Sequence, residues 1–159
     1  MGNITVELDA ERAPLTVDNF LSYVAKGHYD GTIFHQVYRD QGIVGGVYSV
    51  DMTEKPQDPA IYNEAYNGLK NLRGTLAMAR QPDMIHSATC HFFINVADNP
   101  ELDHRDRNTP ENYGYCVFGK VTEGMDVVLQ IAAVEVEDTE LLDRTPVQKL
   151  VIKSVRQIR

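Results

Sequence analysis

The sequence contains no tryptophan and only two cysteines, Cys90 and Cys116. Two cysteines are too few for a disulfide framework, and each lies in or beside an apolar stretch typical of a strand. We therefore expect two buried free thiols, since an unpaired cysteine behaves as a small apolar residue. A redox-sensitive pair stays open as an alternative, because the sequence does not tell whether the two strands are neighbours.

Long apolar runs are also absent. No stretch approaches the roughly 20 residues that a membrane-spanning helix needs. From Met1 the chain passes directly into an alternating pattern, without the basic region and apolar core of a secretory signal. These absences predict a soluble, cytoplasmic protein that does not bind membranes, unless a signal segment has been removed.

Positive charge is scarce. The chain has 15 Lys and Arg against 23 Asp and Glu, a formal net charge of -8, and no basic run that could neutralise a series of phosphates. We therefore expect no nucleic-acid partner. The acidic run at residues 135–143 is interpreted as a solvated loop or helix end. A length of 159 residues predicts one compact domain, residues 1–159, which we expect to be a monomer.

Short alternating segments make up most of the chain. Ile4, Val6 and Leu8 alternate with polar residues, which predicts a half-buried first strand. Further strands are predicted at residues 32–38, 43–48, 75–79, 91–96, 115–121 and 149–156. Clusters of Gly, Pro, Asn and Asp separate these segments, as expected of turns.

Two segments have helical periodicity instead. Residues 14–26 place their apolar side chains on one face, with Thr16 as the expected cap and Gly27 after the end. Residues 124–133 show a second apolar face. Many short strands with two amphipathic helices predict a closed barrel or a sandwich. The polar segments 51–61 and 98–114 are expected to be surface loops that frame a site.

Several motifs, in their order and spacing, resemble the cyclophilins over the chain from about Asn3 to the C-terminus. They are Phe34-His35-Gln36-Val37, Gly45-Gly46, Asn63-Glu64-Ala65, residues 67–71, residues 73–80, Ser87-Ala88-Thr89, residues 92–98 and residues 115–121. The resemblance implies a mainly β fold, an eight-stranded antiparallel closed β-barrel capped by two α-helices.

The resemblance also implies a function, that of a peptidyl-prolyl cis-trans isomerase acting on X-Pro bonds of proline-containing peptides or unfolded protein chains. The barrier to rotation about a peptide bond is about 18 to 20 kcal/mol, while the cis and trans forms of X-Pro differ by only about 0.5 to 1 kcal/mol. A catalyst must hold the chain, receive the ring and stabilise the twisted amide with aimed donors. It needs no nucleophile and no cofactor.

Carried over residue by residue, the resemblance implies three catalytic positions, His35, Gln36 and His91. The implied substrate-binding residues are Phe93, Leu102 and Phe118 in or against the proline pocket, Ala79 and Arg80 along the neighbouring backbone groove, and Tyr115 at the rim. Gln41 stands at the pocket wall, and Val44 stands where the family has a glutamine that binds the substrate backbone. For His35 a packed strand histidine is the simpler interpretation, because isomerisation requires no net proton transfer. A metal site formed by Cys90, His91, His86 and His104 has little support, because their spacing lacks a paired ligand motif.

The chain departs from the family pattern at the positions of the implied active site. Gln36 replaces an arginine, Gln41 and Gly42 replace a Phe-Met pair, Val44 and His91 each replace a glutamine, and Glu101 stands where an aromatic residue is common. Glutamine lacks the charge and forked donors of guanidinium. Loss of one aimed donor typically costs on the order of a hundredfold to a thousandfold in rate.

Two hypotheses follow for the function. The first is an isomerase weakened by Gln36. The second is a binding module for proline peptides or proteins that has lost catalysis. Arg39 could replace the missing guanidinium only if the chain turns immediately after Tyr38, because three residues along a strand it would otherwise lie on the opposite face.

Overall fold

The computed structural model describes residues 1–159, and antiparallel strands make up most of its regular structure. The strands are β1 (Thr5–Leu8), β2 (Thr32–Tyr38), β3 (Gly42–Ser49), β4 (Thr75–Met78), β5 (Phe92–Asn95), β6 (Val117–Glu123), β7 (Val136–Glu137) and β8 (Thr145–Pro146). The helices are α1 (Pro14–Ala25), α2 (Pro110–Tyr113) and α3 (Met125–Ala132). None of them has the length and apolar character of a membrane-spanning segment.

Six strands form one antiparallel sheet in the order β1-β6-β4-β5-β3-β2, and β7 pairs with β8. The predicted last strand, residues 149–156, was wrong as a regular strand, since only Val151 forms a bridge, with Ile33. The segment nevertheless covers the outer edge of β2, where Phe34 N donates to Leu150 O at 3.1 Å. The predicted mainly β architecture is confirmed.

Helix α1 has a cap that lies far away in the sequence. The residue before the helix, Ala13, has no side chain that could accept a hydrogen bond, and the predicted cap Thr16 lies inside the first turn. The buried carboxylate of Glu64 accepts instead, from Thr16 N at 2.8 Å and from Leu15 N at 3.3 Å. Glu64 thereby satisfies free N–H groups at the helix N-terminus and ties α1 to the segment before β4.

The main core lies between α1, α3 and one side of the sheet, and it contains 26 buried residues. Phe20 of α1 is central to it, with its ring centroid 5.0 Å from Tyr29, 5.8 Å from Phe92 and 5.3 Å from Phe118. Such aromatic contacts add to the burial of apolar area. The core thus holds the sheet rigidly from one side and leaves the other side for a site.

Both thiols lie in this core. Cys90 and Cys116 are buried and unpaired, which confirms the prediction of buried free cysteines. Burial raises the pKa of each thiol to about 11, so both are protonated at neutral pH.

Candidate active site

A second apolar cluster lies on the opposite side of the sheet. Its buried members, Ala77, Phe93 and Val117, belong to β4, β5 and β6. Phe92, the neighbour of Phe93, lies in the main core, as the alternation of side chains along a strand requires. We call the following set the Phe93 cluster: Ala77, Phe93 and Val117 with the partly buried Val44, Leu69, Ala79, Leu102 and Tyr115.

The strand register arranges the centre of this cluster in one row. Val44 pairs with Phe93, Phe93 with Ala77, and Ala77 with Val117. On the far side of Val44, the row continues to Gln36 of β2. Residues that are distant in the sequence therefore form a continuous line across five strands, with an apolar middle and a polar end.

Most of the predicted substrate-binding residues meet in the Phe93 cluster. Five of them belong to it: Phe93, Leu102, Tyr115, Ala79 and Val44. Phe93 is 8 % exposed, and its ring lies edge-on to Tyr115 with centroids 5.9 Å apart. The result is an apolar surface that is partly open to solvent, the usual character of a small-ligand site.

Phe118 does not belong to this surface. It is 0 % exposed and packs against Phe20 in the main core. The prediction that it lies in or against the proline pocket was therefore wrong, because Val117, its neighbour on β6, faces the cluster instead.

The loop between β5 and β6 holds Leu102 and Tyr115 against the sheet. Leu102 O accepts hydrogen bonds from Tyr115 N at 2.9 Å and from Asn71 Nδ2 at 3.2 Å. Gly114 has φ of +79°, and a Cβ there would lie 2.6 Å from His104 N. Only glycine fits this close approach of the chain to itself.

Arg80 stabilises the same loop. Its guanidinium donates to the carbonyl oxygens of Gly114, Pro110, Gln81 and Pro82 at 2.7 to 3.2 Å. It also stacks on Tyr115, with Cζ 4.5 Å from the ring centroid. Arg80 thus lies beside Tyr115 of the Phe93 cluster, and its hydrogen bonds go to the protein's own backbone.

Three buried asparagines connect the two walls of the site. Asn99 Nδ2 donates to Gln41 O at 2.9 Å and to Asn95 Oδ1 at 2.8 Å. Asn95 Nδ2 donates in turn to Asn71 Oδ1 at 3.1 Å, and Asn71 binds Leu102 O. Sequence reasoning missed this network, although an asparagine inside an apolar strand segment is a signal, since strands are depleted in asparagine.

A β-bulge in β2 positions His35 and Gln36. The register between β2 and β3 shifts between Phe34 and Gln36, so that an extra residue is present there. Phe34 lies in the main core, whereas the His35 ring lies edge-on to His91 with centroids 5.4 Å apart. Tyr48 contacts His35 as well, at 4.8 Å between ring centroids.

Burial keeps the two histidines neutral. Desolvation, with a smaller contribution from His91, lowers the pKa of His35 to about 3. Desolvation also lowers the pKa of His91. His35 is 2 % exposed, as expected of a packed histidine, and its buried Nδ1 has no hydrogen-bond partner within the protein. At neutral pH both rings can donate or accept a hydrogen bond but carry no charge.

The side-chain amide of Gln36 donates hydrogen bonds to other groups of the protein. Its Nε2 donates to Asp143 O at 3.2 Å and, at 3.4 Å, to the hydroxyl of Tyr38. The segment between β7 and β8 thus lies beside β2, so the predicted solvated acidic run also forms part of the site's edge. Gln36 carries no positive charge, and its donors are directed toward this segment.

Gln41 and Glu101 form the other edge. Gln41 Nε2 donates to Glu101 Oε1 at 3.2 Å, and both side chains are at the surface. Glu101 directly precedes Leu102 of the Phe93 cluster. The site therefore has a polar, negatively charged rim at this edge.

The chain matches the family model "Cyclophilin type peptidyl-prolyl cis-trans isomerase/CLD" over residues 1–157. It belongs to the cyclophilin-type peptidyl-prolyl cis-trans isomerases. Among related cyclophilin-type proteins, peptidyl-prolyl cis-trans isomerase cyp18 of Streptomyces antibioticus is 51 % identical over 155 residues, 98 % of this chain and 92 % of that protein. Peptidyl-prolyl cis-trans isomerase B of Escherichia coli is 44 % identical, over 97 % of this chain and 93 % of that protein.

A solved cyclophilin has the same fold. The crystal structure of a Cryptosporidium parvum cyclophilin-type isomerase in the presence of the dipeptide Ala-Pro superposes with a TM-score of 0.76 at 25 % identity, covering 96 % of this chain and 90 % of that chain. The family and the cyclophilin fold expected from the sequence are confirmed.

The arrangement can bind and orient a peptide without covalent chemistry. No group of three or more His, Cys, Asp or Glu side chains is placed to hold a metal ion. The site offers an apolar surface around Phe93, neutral donors at Gln36 and His91, and a carboxylate at Glu101.

Proposed function

We propose that this chain catalyses the cis-trans isomerisation of X-Pro bonds in peptides and unfolded protein chains, with the Phe93 cluster receiving the prolyl ring. The observation that carries this proposal is the row from Gln36 through Val44 to Phe93. The row puts an amide side chain at one end of an apolar surface, and this supports a site that receives a prolyl ring beside a hydrogen-bond donor.

Binding and orientation supply part of the catalysis. Rotation meets a barrier of about 18 to 20 kcal/mol because the C–N bond has double-bond character. An apolar surface around Phe93 that holds the ring, together with donors that favour the twisted amide, lowers this barrier. Neither step requires a proton or electron to be transferred.

We propose that Gln36 makes the enzyme slow. A neutral amide that already donates to Asp143 O must exchange that bond for one to the substrate. A guanidinium would supply charge and five donors. The expected deficit is on the order of a hundredfold relative to a site with arginine at this position.

The remaining roles follow from the environment. His91 is assigned as a neutral donor or acceptor for the peptide backbone, because its carbonyl oxygen accepts from Ala79 N of the cluster at 3.1 Å and burial lowers its pKa. His35 is assigned to packing beneath it. Leu102 and Tyr115 form the wall of the proline pocket, and Arg80 holds that wall. Because the net charge is -8, we expect a polypeptide and not a nucleic acid as the substrate. We also expect the protein to act as a monomer.

A second function is favoured by one observation. Because the Gln36 donors are already engaged within the protein, the site could bind proline peptides without accelerating rotation. It would then serve as a binding module. The same row of residues would form the binding surface.

Exchange NMR on an Ala-Pro peptide separates these functions. Wild-type protein should accelerate cis-trans exchange above the uncatalysed rate, and Leu102→Ala should lose roughly tenfold in kcat/KM because it removes part of the apolar wall. Tyr62→Ala, at a residue that is 69 % exposed, is the matched control and should retain wild-type activity. Peptide binding without acceleration would support the binding module, and absence of both would refute both functions.

A further inference from the structure

A second arginine lies at the Gln36 end of the site. Arg144, the last residue before β8, is exposed, and its Cζ lies 5.3 Å from the centroid of the Tyr38 ring. The hydroxyl of Tyr38 accepts the hydrogen bond from Gln36 Nε2. Arg144 is therefore connected to Gln36 through the single side chain of Tyr38, although the two residues are 108 positions apart in the sequence.

We propose that Arg144 supplies the guanidinium that position 36 lacks, donating to a carbonyl oxygen of the bound peptide at the polar end of the row. This inference rests on the proposed function, since it assigns a further catalytic residue to the same reaction. The step transfers no proton and forms no covalent bond. A positive charge with aimed donors stabilises the twisted amide electrostatically.

The backbone holds Arg144 in a defined position. Its N–H donates to Asp138 Oδ1 at 3.1 Å, and its carbonyl oxygen accepts from Val37 N at 2.9 Å. Its φ of +54° lies in the left-handed region, which residues with a Cβ rarely adopt. Such conformations persist where the surrounding structure determines them, and they cluster at functional sites.

The donors of Arg144 are free, unlike those of Arg80. The Arg80 guanidinium donates hydrogen bonds to four backbone carbonyl groups beside the cluster. The ion pairs of the chain are Lys26–Asp58, Arg105–Glu111 and Arg156–Asp30, so the Arg144 guanidinium forms no ion pair, and the Asp138 carboxylate binds only its backbone N–H. Its guanidinium lies over the Tyr38 ring, and stacking on a ring leaves the N–H groups available at its edge.

Arg39 is the alternative source of a guanidinium. A turn does follow Tyr38, where Gln41 N donates to Tyr38 O at 2.9 Å, so Arg39 lies in this turn. No side-chain contact of Arg39 joins it to Gln36. The structure therefore favours Arg144, and Arg39 provides a matched control with the same charge and similar exposure.

Exchange NMR with a proline peptide tests the assignment through kcat and KM measured separately. Arg144→Gln should lower kcat by roughly tenfold, less than for a fully buried donor because Arg144 is exposed. Arg144→Lys, which keeps the charge, should recover part of that loss, and Arg39→Gln should stay within about twofold of wild type. In a Gln36→Arg background, Arg144→Gln should have little effect, because position 36 then carries its own guanidinium.

The outcomes separate this inference from the proposed function. If wild type accelerates exchange but Arg144→Gln has the wild-type kcat, the role of Arg144 is refuted while the isomerase remains. If Arg39→Gln loses as much as Arg144→Gln, only the overall charge matters and the assignment is again refuted. If wild type shows no acceleration, the proposed function fails and the role of Arg144 with it. Arg144→Lys keeps the test valid should Arg144→Gln fold poorly.

Discussion

Gln41 Nε2 donates a hydrogen bond to Glu101 Oε1 at 3.2 Å, across the rim of the Phe93 cluster. The sequence resemblance to the cyclophilins implies an aromatic residue at both positions, so two departures from that pattern contact each other. The pair replaces an apolar wall with a polar one that carries a negative charge. We expect the replacement of the apolar wall to change which peptides the site prefers.

Glu101 should favour peptides with a basic residue next to proline. A surface ion pair contributes about 0.2 to 1 kcal/mol, so Lys-Pro or Pro-Lys peptides should bind up to about fivefold more tightly than their Glu counterparts at low salt. Glu101→Gln should remove the preference and its salt dependence. Titration of the four peptides against both proteins checks this, with the exposed Glu123→Gln as control. A preference that survives in Glu101→Gln would contradict it.

Asn95→Leu should weaken both the fold and the site. The substitution leaves the buried Asn71 Oδ1 without a partner, which costs roughly 1 to 3 kcal/mol, and removes one hydrogen bond each from Asn99 Nδ2 and Thr75 Oγ1, which keep other partners. Urea denaturation should show this loss, and peptide affinity should fall because Asn71 and Asn99 hold opposite walls. Asn108→Leu, at an exposed residue, should change neither. Equal stability of the two variants would show that the network has no energetic importance.

Glu64→Ala should destabilise helix α1 from a distance of 48 residues in the sequence. Loss of an N-terminal cap costs about 0.5 to 2 kcal/mol, and the buried hydroxyl of Thr16 would lose its acceptor too. Glu64→Gln should lose less, because an amide oxygen can still accept. Free energies of unfolding from urea titrations test this order. It would be contradicted if Glu64→Ala were as stable as Glu123→Ala.

The free energy of unfolding should decrease as the pH decreases, because His35 is buried in its neutral form. Its pKa is about 3 in the folded protein and returns toward the ordinary histidine value of 6.5 on unfolding. Between these values only the unfolded chain binds the proton, so this contribution is fully present above pH 6.5 and is lost as pH falls toward 3. The slope is up to about 1.4 kcal/mol per pH unit.

Comparison with His35→Leu isolates this effect from that of the carboxylates. The free energy of unfolding of the variant should decline less than that of wild type between about pH 6.5 and pH 4.5, by roughly 2 to 3 kcal/mol. Urea titrations at several pH values provide the measurement. Parallel declines in the two proteins would mean that His35 is not held neutral by burial.

Alternation and turn residues predicted most of the sheet. Strand β2 has the predicted bounds, β4 differs by one residue at one end, and β3 and β5 differ by one residue at each end. The last strand was predicted too long because its apolar residues pack along the β2 edge without a regular ladder. The cap of α1 was misassigned because local rules consider only neighbouring residues, whereas Glu64 acts through tertiary structure.

Site residues were predictable where they stand in an alternating strand. Phe93 and Val44 follow from the motifs, and the register then explains why they meet. Phe118 was misplaced because a motif does not tell which face of the strand a residue occupies. The contacts of Arg144 with Tyr38 and of Gln41 with Glu101 join distant segments, and no local pattern indicates such pairs.

The most direct test of the central claim is kcat/KM of Gln36→Arg against wild type on one Ala-Pro peptide, measured by exchange NMR. If the Phe93 cluster is a working proline site limited by the missing guanidinium, the variant should gain about tenfold to a hundredfold while peptide affinity changes little. A variant that binds the peptide as wild type does and shows no gain would contradict the account.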